Sequence, residues 1–592
     1  MPKNPLIDLL RAYGPTSEGD AMYDEFVLAE AQRADLSPLK IEEFVSGRIS
    51  DILRSEMPHS FILTGTAGDG KTYTARKAFA KLEVGEWDPG AISNEANLPS
   101  GRRVHFLKDL SELNGTQRTE WYPRLAAALV GESEEVFVVC VNDGQLLAFF
   151  REQRGTARGR EFLDLLTRML RGEATSEAGY EFEILHMSRR SHAETLGRIF
   201  ETVLEHEAWE RCPEDCPALA GPNICPIRGN RSAMDLRFRA RVRDAVELAA
   251  ADGRHLSLRQ LIILVINALL GDAKGSATRL MTCGRAQNIA AKGDYAWANP
   301  YANVLGHNHS ERARSDIVAF ATLARLGIGE ETTNAFDNAL LDEMSAGALP
   351  ASDLHGERIF AGVRAEYADD PSGTAKRINE ALRAQRQRLF FSLDEGGPLD
   401  PWRLTRFHGG RAFLDLVNDL KDGMPARPET RRQITLGLNR TMTGYLTTSA
   451  GKIWMTQSAA PSHGRGVPLL IDSPVPWTGR RATARIRKQD GASRPPVVEI
   501  VEDRKVFGAL ELTPTMFEFL SRVAEGALPA SFGSQCLQEI RAFQIRVTGS
   551  IARESEDAKV GMQLQEIGLQ DDGELVEREI KMLEDAFGES PA

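Results

Sequence analysis

The stretch Phe61-Ile-Leu-Thr-Gly-Thr-Ala-Gly-Asp-Gly-Lys-Thr-Tyr73 constrains this chain more than any other. An apolar run leads into Gly65-x-x-x-x-Gly70-Lys71-Thr72, and a helix-favouring segment follows to Leu82. This order predicts a strand, a glycine-rich loop and a helix. The glycines let successive backbone N–H groups turn inward around a polyphosphate, Lys71 is placed to reach the β- and γ-phosphates, and Thr72 offers its hydroxyl to Mg²⁺. The helix aims its N-terminus at the same anion. Gly65, Thr66, Ala67, Gly68, Asp69, Gly70, Lys71, Thr72 and Tyr73 are therefore the expected contacts of ATP and its Mg²⁺.

A chain of 592 residues is too long for one core, and several domains are expected. Residues 1–58 carry apolar positions at helical spacing and read as a helical collar. From 59 to 200 strand candidates (61–64, 104–108, 136–141 and 181–187) alternate with helical stretches, the pattern of a parallel sheet with covering helices. The expected class is α/β, an AAA+-like P-loop NTPase core. Residues 201–275 form a cysteine-rich insert and a helical lid. There Ser257-x-x-Gln260 opens an apolar block closed by Gly271. A mostly helical domain spans 276–451 and a β-containing domain spans 452–550. An acidic end, solvated and partly helical or disordered, spans 551–592.

The net charge of −12 would disfavour nucleic acid if it were evenly spread. It is not, because Ile551–Ala592 holds twelve acidic against four basic residues, so basic patches elsewhere remain available to DNA. Six cysteines without a secretory signal point to reduced thiols in the cytoplasm. The longest apolar run, Leu261–Leu270, is too short to span a bilayer, so no membrane partner is expected.

Hydrolysis needs a carboxylate at the end of a neighbouring strand to hold the Mg²⁺ water shell. Phe106-Leu-Lys-Asp109 and Val138-Val-Cys-Val-Asn142-Asp143 both qualify. Counting elements along the chain favours Asn142-Asp143 as the catalytic pair and leaves Asp109 as the alternative. Asn142 stands where a metal-binding Asp is expected, which makes hydrolysis less secure than binding. The next strand ends in His186-Met-Ser188-Arg189-Arg190, where a polar residue can sense the γ-phosphate and an arginine can reach a nucleotide within one subunit or between the subunits of a homo-oligomer. Arg259 occupies the position of a lid arginine.

Cys212-x3-Cys216-x8-Cys225 places three cysteines within one short stretch, each before a proline and so on non-helical backbone. This spacing suits structural zinc. His206 is the nearest fourth ligand, with His192 and Cys283 as other options. Arg481, Thr483, Arg485 and Arg487 alternate along a strand candidate with Lys488 just beyond, and Arg228, Arg231, Arg237, Arg239, Arg241 and Arg243 cluster after the cysteines. Either set is a phosphate-tracking strip or a solvated face.

Gly65-Thr-Ala-Gly-Asp-Gly-Lys71, Lys108-Asp-Leu-Ser111, Asn142-Asp-Gly144 and Cys225-Pro-Ile-Arg-Gly-Asn230 together resemble prokaryotic defence-associated ATPases, in particular the ATPase of DNA phosphorothioation-dependent restriction systems. The resemblance covers roughly residues 1–350. It implies an ATPase that works with other proteins of a defence operon, and with DNA, to restrict unmodified invading DNA. Two other functions fit the motifs: a nucleotide-dependent oligomerisation switch with slow hydrolysis, and a replication or recombination accessory ATPase.

Overall fold

The computed structural model describes residues 3–15, 23–41, 44–88, 90–152, 159–171, 180–220, 224–275, 279–342, 349, 357–456, 469–470, 474–479, 481–489, 494–555 and 565–579. It divides into two compact units, one of residues 1–250 and 254–404, the other of residues 251–253 and 405–592. Helices Gly410–Lys421 and Pro428–Thr443 fall in the second of these units.

The first unit begins with helices α1 (Pro5–Ala12) and α2 (Phe44–Leu53). Its sheet comprises β1 (Ser60–Thr64), β2 (Ser93–Asn97), β3 (Arg103–Leu107), β4 (Glu135–Val141) and β5 (Phe182–His186), in the spatial order β2-β3-β4-β1-β5. Four strands run parallel, while β2 pairs antiparallel with β3 at the edge. The class is therefore α/β as expected, with a mixed sheet in place of a purely parallel one. The central strands are continuous apolar runs because both faces are covered. Strand β2 is the polar run Ser-Asn-Glu-Ala-Asn, which buries only Asn94 and Ala96. It is held by its backbone ladder to β3, in which the Glu95 carboxylate lies 3.2 Å from the fully buried ring of the directly opposed His105.

Successive strand residues face opposite sides, and two apolar layers result. Phe61, Leu63, Phe106, Val138 and Cys140 pack against Ala75, Ala78 and Phe79 of α3 (Lys71–Leu82) and against Ile49 and Leu53 of α2. On the other face Ile62, Phe137, Val139 and Val141 meet α4 (Gly115–Leu129), α5 (Asp143–Glu152) and α6 (Gly159–Arg171) through Trp121, Leu125, Leu146, Phe149, Leu165 and Met169. Helix α7 (His192–Leu204) then packs on α8 (Leu258–Leu270), which Ser257 caps and which is buried from Leu261 to Leu270. Helix α9 (Cys283–Lys292) follows. No helix among the described residues is long and apolar enough to cross a membrane.

In the second unit Thr483–Arg487, Val497–Glu502 and Lys505–Glu511 form an antiparallel sheet. Part of the acidic end departs from expectation: Gln565–Leu569 and Leu575–Glu579 pair as a hairpin whose Ile567 and Leu575 are buried beside Trp454. Charge on the outward positions masked the two inward apolar ones. Residues 556–564 and 580–592 of that end lie outside the described residues.

Burial pushes His192, His307 and His309 of the first unit each down to about 4, and the nearby His255, Arg314 with Arg383, and Arg279 respectively push the same way. These rings stay neutral in the folded chain at pH values where the unfolded chain protonates them, so stability is lost as pH falls from about 6.5 toward about 4. The melting temperature of the first unit is expected to fall over that window, and the joint change His307→Gln and His309→Gln should flatten the slope. A melting temperature flat from about pH 7 to about pH 4.5 would contradict the burial of these rings as neutral groups.

Candidate functional site

The loop from Gly65 to Gly70 joins the end of β1 to α3. Gly65, Gly68 and Gly70 take φ of +152°, +82° and +78°, a backbone that side chains with a Cβ resist. At Gly68 there is also no room: a Cβ would stand 2.9 Å from the Ser257 hydroxyl. Helix α3 begins on Gly70 with no side-chain cap, although Asn114, Ser191 and Ser257 cap α4, α7 and α8. Gly70 itself has no side chain with which to cap the helix. The Lys71 ammonium folds back over the loop and donates to the carbonyls of Gly65 at 2.9 Å and Thr66 at 2.8 Å. Tyr73 reaches the carbonyl of Ile41 at 3.5 Å, which links α3 to the N-terminal region.

Thr66, Ala67 and Gly68 are exposed, yet Asp69 beside them is buried. One carboxylate oxygen accepts from the Thr66 backbone N–H at 2.7 Å, the Thr66 hydroxyl at 3.0 Å and the Ser188 hydroxyl at 2.7 Å. The other lies 2.7 Å from His255 Nε2. Burial alone would raise the Asp69 carboxyl, but the hydrogen bonds from His255 and Ser188, the charge of His255 and the bond from Thr66 together hold it below the usual carboxylate range. Sequence reasoning offered an unspecified polar residue of the His186–Arg190 strand end for phosphate sensing and gave no role to His255. The structure engages Ser188 and His255 with Asp69. A further tie runs from the Arg259 backbone N–H to the Gly68 carbonyl at 3.1 Å. Arg190 lies 3.4 Å from the Thr74 hydroxyl of α3.

The two candidate carboxylates stand at the same edge of the sheet but differ in setting. Strand β4 lies between β1 and β3, so Asp109 follows the strand that is one removed from the loop strand and Asn142-Asp143 follows the adjacent one. Asp109 caps the short turn Leu110–Glu112, accepting from Ser111 N at 2.8 Å. Asn142 caps α5, accepting from Gln145 N at 2.8 Å. Asp143 accepts a hydrogen bond from the Thr64 hydroxyl, and Thr64 alternates with Leu63 onto the face away from α3. Burial pushes the Cys140 thiol at the end of β4 up to about 12, with Lys71 pulling it down and Asp109 pushing it further up. Burial holds His186 below its usual value, with the charge of Asp143 acting to raise it.

The basic clusters are largely committed within the fold. Arg485 and Arg487 flank one buried carboxylate, Glu499, each with a nitrogen within 2.9 Å of it. Arg231, Arg237, Arg239 and Arg241 donate to backbone carbonyls of Leu204, Ser392, Met234 and Phe390. Cys212, Cys216 and Cys225 line a separate cavity that also includes Cys283. His206 does not line it: its Nδ1 accepts from Ala208 N at 3.1 Å as the cap of the turn Glu207–Arg211. Comparison with known proteins adds no assignment, because no family model matches the chain and no curated protein or solved structure is significantly similar to it.

Proposed function

We propose that the Gly65–Thr72 loop binds the polyphosphate of ATP with Mg²⁺ and that the first unit hydrolyses it. The observation that carries this reading is the loop itself: three glycines at positive φ, a lysine folded across the loop onto two of its carbonyls, and a helix that starts without a side-chain cap. Phosphate oxygens are the acceptors such a loop and such a helix terminus suit best. In this reading Thr72 supplies the Mg²⁺ hydroxyl, and Lys71 leaves the loop carbonyls for the β- and γ-phosphates.

The sheet order supports Asp109 as the residue that holds the metal's water shell. In the additional-strand class of P-loop ATPases a strand stands between the loop strand and the carboxylate strand, and β4 is in that position. Counting along the chain pointed to Asn142-Asp143, but the intervening strand is defined across the sheet. Asn142 then becomes the polar residue beside the γ-phosphate, and Asp143 a brace on Thr64. An Asn at the end of β4 no longer counts against hydrolysis, which removes the ground for a slow oligomerisation switch. A part in a DNA restriction assembly rests on the resemblance of motifs. In that strip Arg485 and Arg487 share Glu499, which offsets one of their two charges.

Lys71→Ala is expected to abolish ATP turnover, because the cation at the β- and γ-phosphates is lost. Asp109→Asn should keep ATP binding and lose about a hundredfold or more in rate, and Asp143→Asn should lose much less. Steady-state hydrolysis with binding measured in parallel checks both. Normal turnover in Asp109→Asn with an inactive Asp143→Asn would move the metal carboxylate to β4.

Asp69→Ala should weaken ATP binding by roughly tenfold with Lys71 intact, since the loop loses the anchor that sets its shape. Calorimetric titration of Mg·ATP reads this directly. Unchanged affinity would mean that the loop holds its form without Asp69.

A further inference from the structure

We propose that Cys212, Cys216, Cys225 and Cys283 form a four-thiolate site for one structural zinc ion. The four approach a common cavity from separate stretches of the first unit. Cys212 ends the turn Glu207–Arg211, Cys216 precedes the short helix Pro217–Ala220, Cys225 precedes the helix Pro226–Ala233, and Cys283 is the first residue of α9. With Asn4, Trp209 and Gln287 they line a cavity of about 30 Å³. That is room for a single ion, and far below the several hundred Å³ of an organic ligand pocket.

None of the four is in a disulfide. The sulfurs are instead met by N–H donors. The Asn4 side-chain amide donates to Cys212 Sγ at 3.3 Å, the Asn4 backbone N–H to Cys283 Sγ at 3.4 Å, and the Gln287 side-chain amide to Cys216 Sγ at 3.6 Å. Donors aimed at sulfur are the outer shell that a metal-bound thiolate requires, because they spread its negative charge and fix its direction.

Among the described residues no group of three or more His, Cys, Asp or Glu side chains is drawn together to hold a metal ion. The four thiols therefore line the cavity in an open arrangement that the ion would close, and metal-binding free energy goes into such closure because these sites are rarely preformed. Four sulfur ligands suit zinc or an iron–sulfur cluster, and of these the single ion is the one proposed. Cys283 takes the fourth place, not His206. The bound ion would tie α9 and the cysteine insert together beside Asn4, the capping residue of α1.

Metal analysis of the full chain purified without chelator is expected to find about one equivalent of zinc, retained in His206→Ala and reduced below about a quarter of an equivalent in Cys283→Ser. Loss of zinc could also follow from misfolding of the Cys283 variant, so zinc-edge X-ray absorption on the unaltered protein provides the second test. It should show four sulfur neighbours at about 2.3 Å. Less than about a tenth of an equivalent of zinc, a shell of three sulfurs and one nitrogen, full zinc in Cys283→Ser, or iron with acid-labile sulfide would each overturn the proposal.

Discussion

A single buried carboxylate organises the Gly65–Gly70 end of the first unit. Asp69 sits inside an otherwise exposed loop, and its partners come from three places: Thr66 within the loop, Ser188 after β5, and His255 just before α8. A hydrogen bond to an ionised group is worth about 1.5–3 kcal/mol, and a buried carboxylate without such bonds would be costly enough to expel the loop. The arrangement therefore holds only when all three segments are in place. It also gives the loop a mechanical connection, since any ligand that reshapes Gly65–Thr72 acts through Asp69 on the start of α8.

The strongly periodic parts of this architecture were legible in the sequence. The four parallel strands lie within or close to the stretches that their apolar residues mark, the central β1 and β4 most plainly. The capped start of α8 was equally readable, because Ser257 and Gln260 are a local signal. Strand β2 was not legible: its residues are polar, and it forms by backbone pairing along the edge of β3. The same limit applies to the hairpin at 565–579, where Ile567 and Leu575 gain their meaning only from Trp454. Each miss is an element whose composition alone does not announce it and whose pairing partner completes it.

Within the site, the motif residues could be named from spacing but their supports could not. Asp69 occupies a variable position of its motif, and His255 and Ser188 carry no signal that points to it. The choice between Asp109 and Asp143 shows the same boundary in sharper form. Both follow apolar strands, and the chain order cannot say which strand lies beside β1. Spatial order can, and it sets β4 between the loop strand and the strand ending in Asp109. The arginine clusters make the converse point, because alternation correctly put Arg485 and Arg487 on one face while the buried Glu499 between them was not foreseen.

Hydrogen–deuterium exchange of the full chain with and without saturating Mg·ATP tests the central claim most directly. The account predicts that nucleotide slows exchange most strongly at the amides of residues 65–73, with a second protected stretch at residues 255–259, which Asp69 and Gly68 join to the loop. Unchanged exchange at residues 65–73 in the presence of bound nucleotide would contradict it.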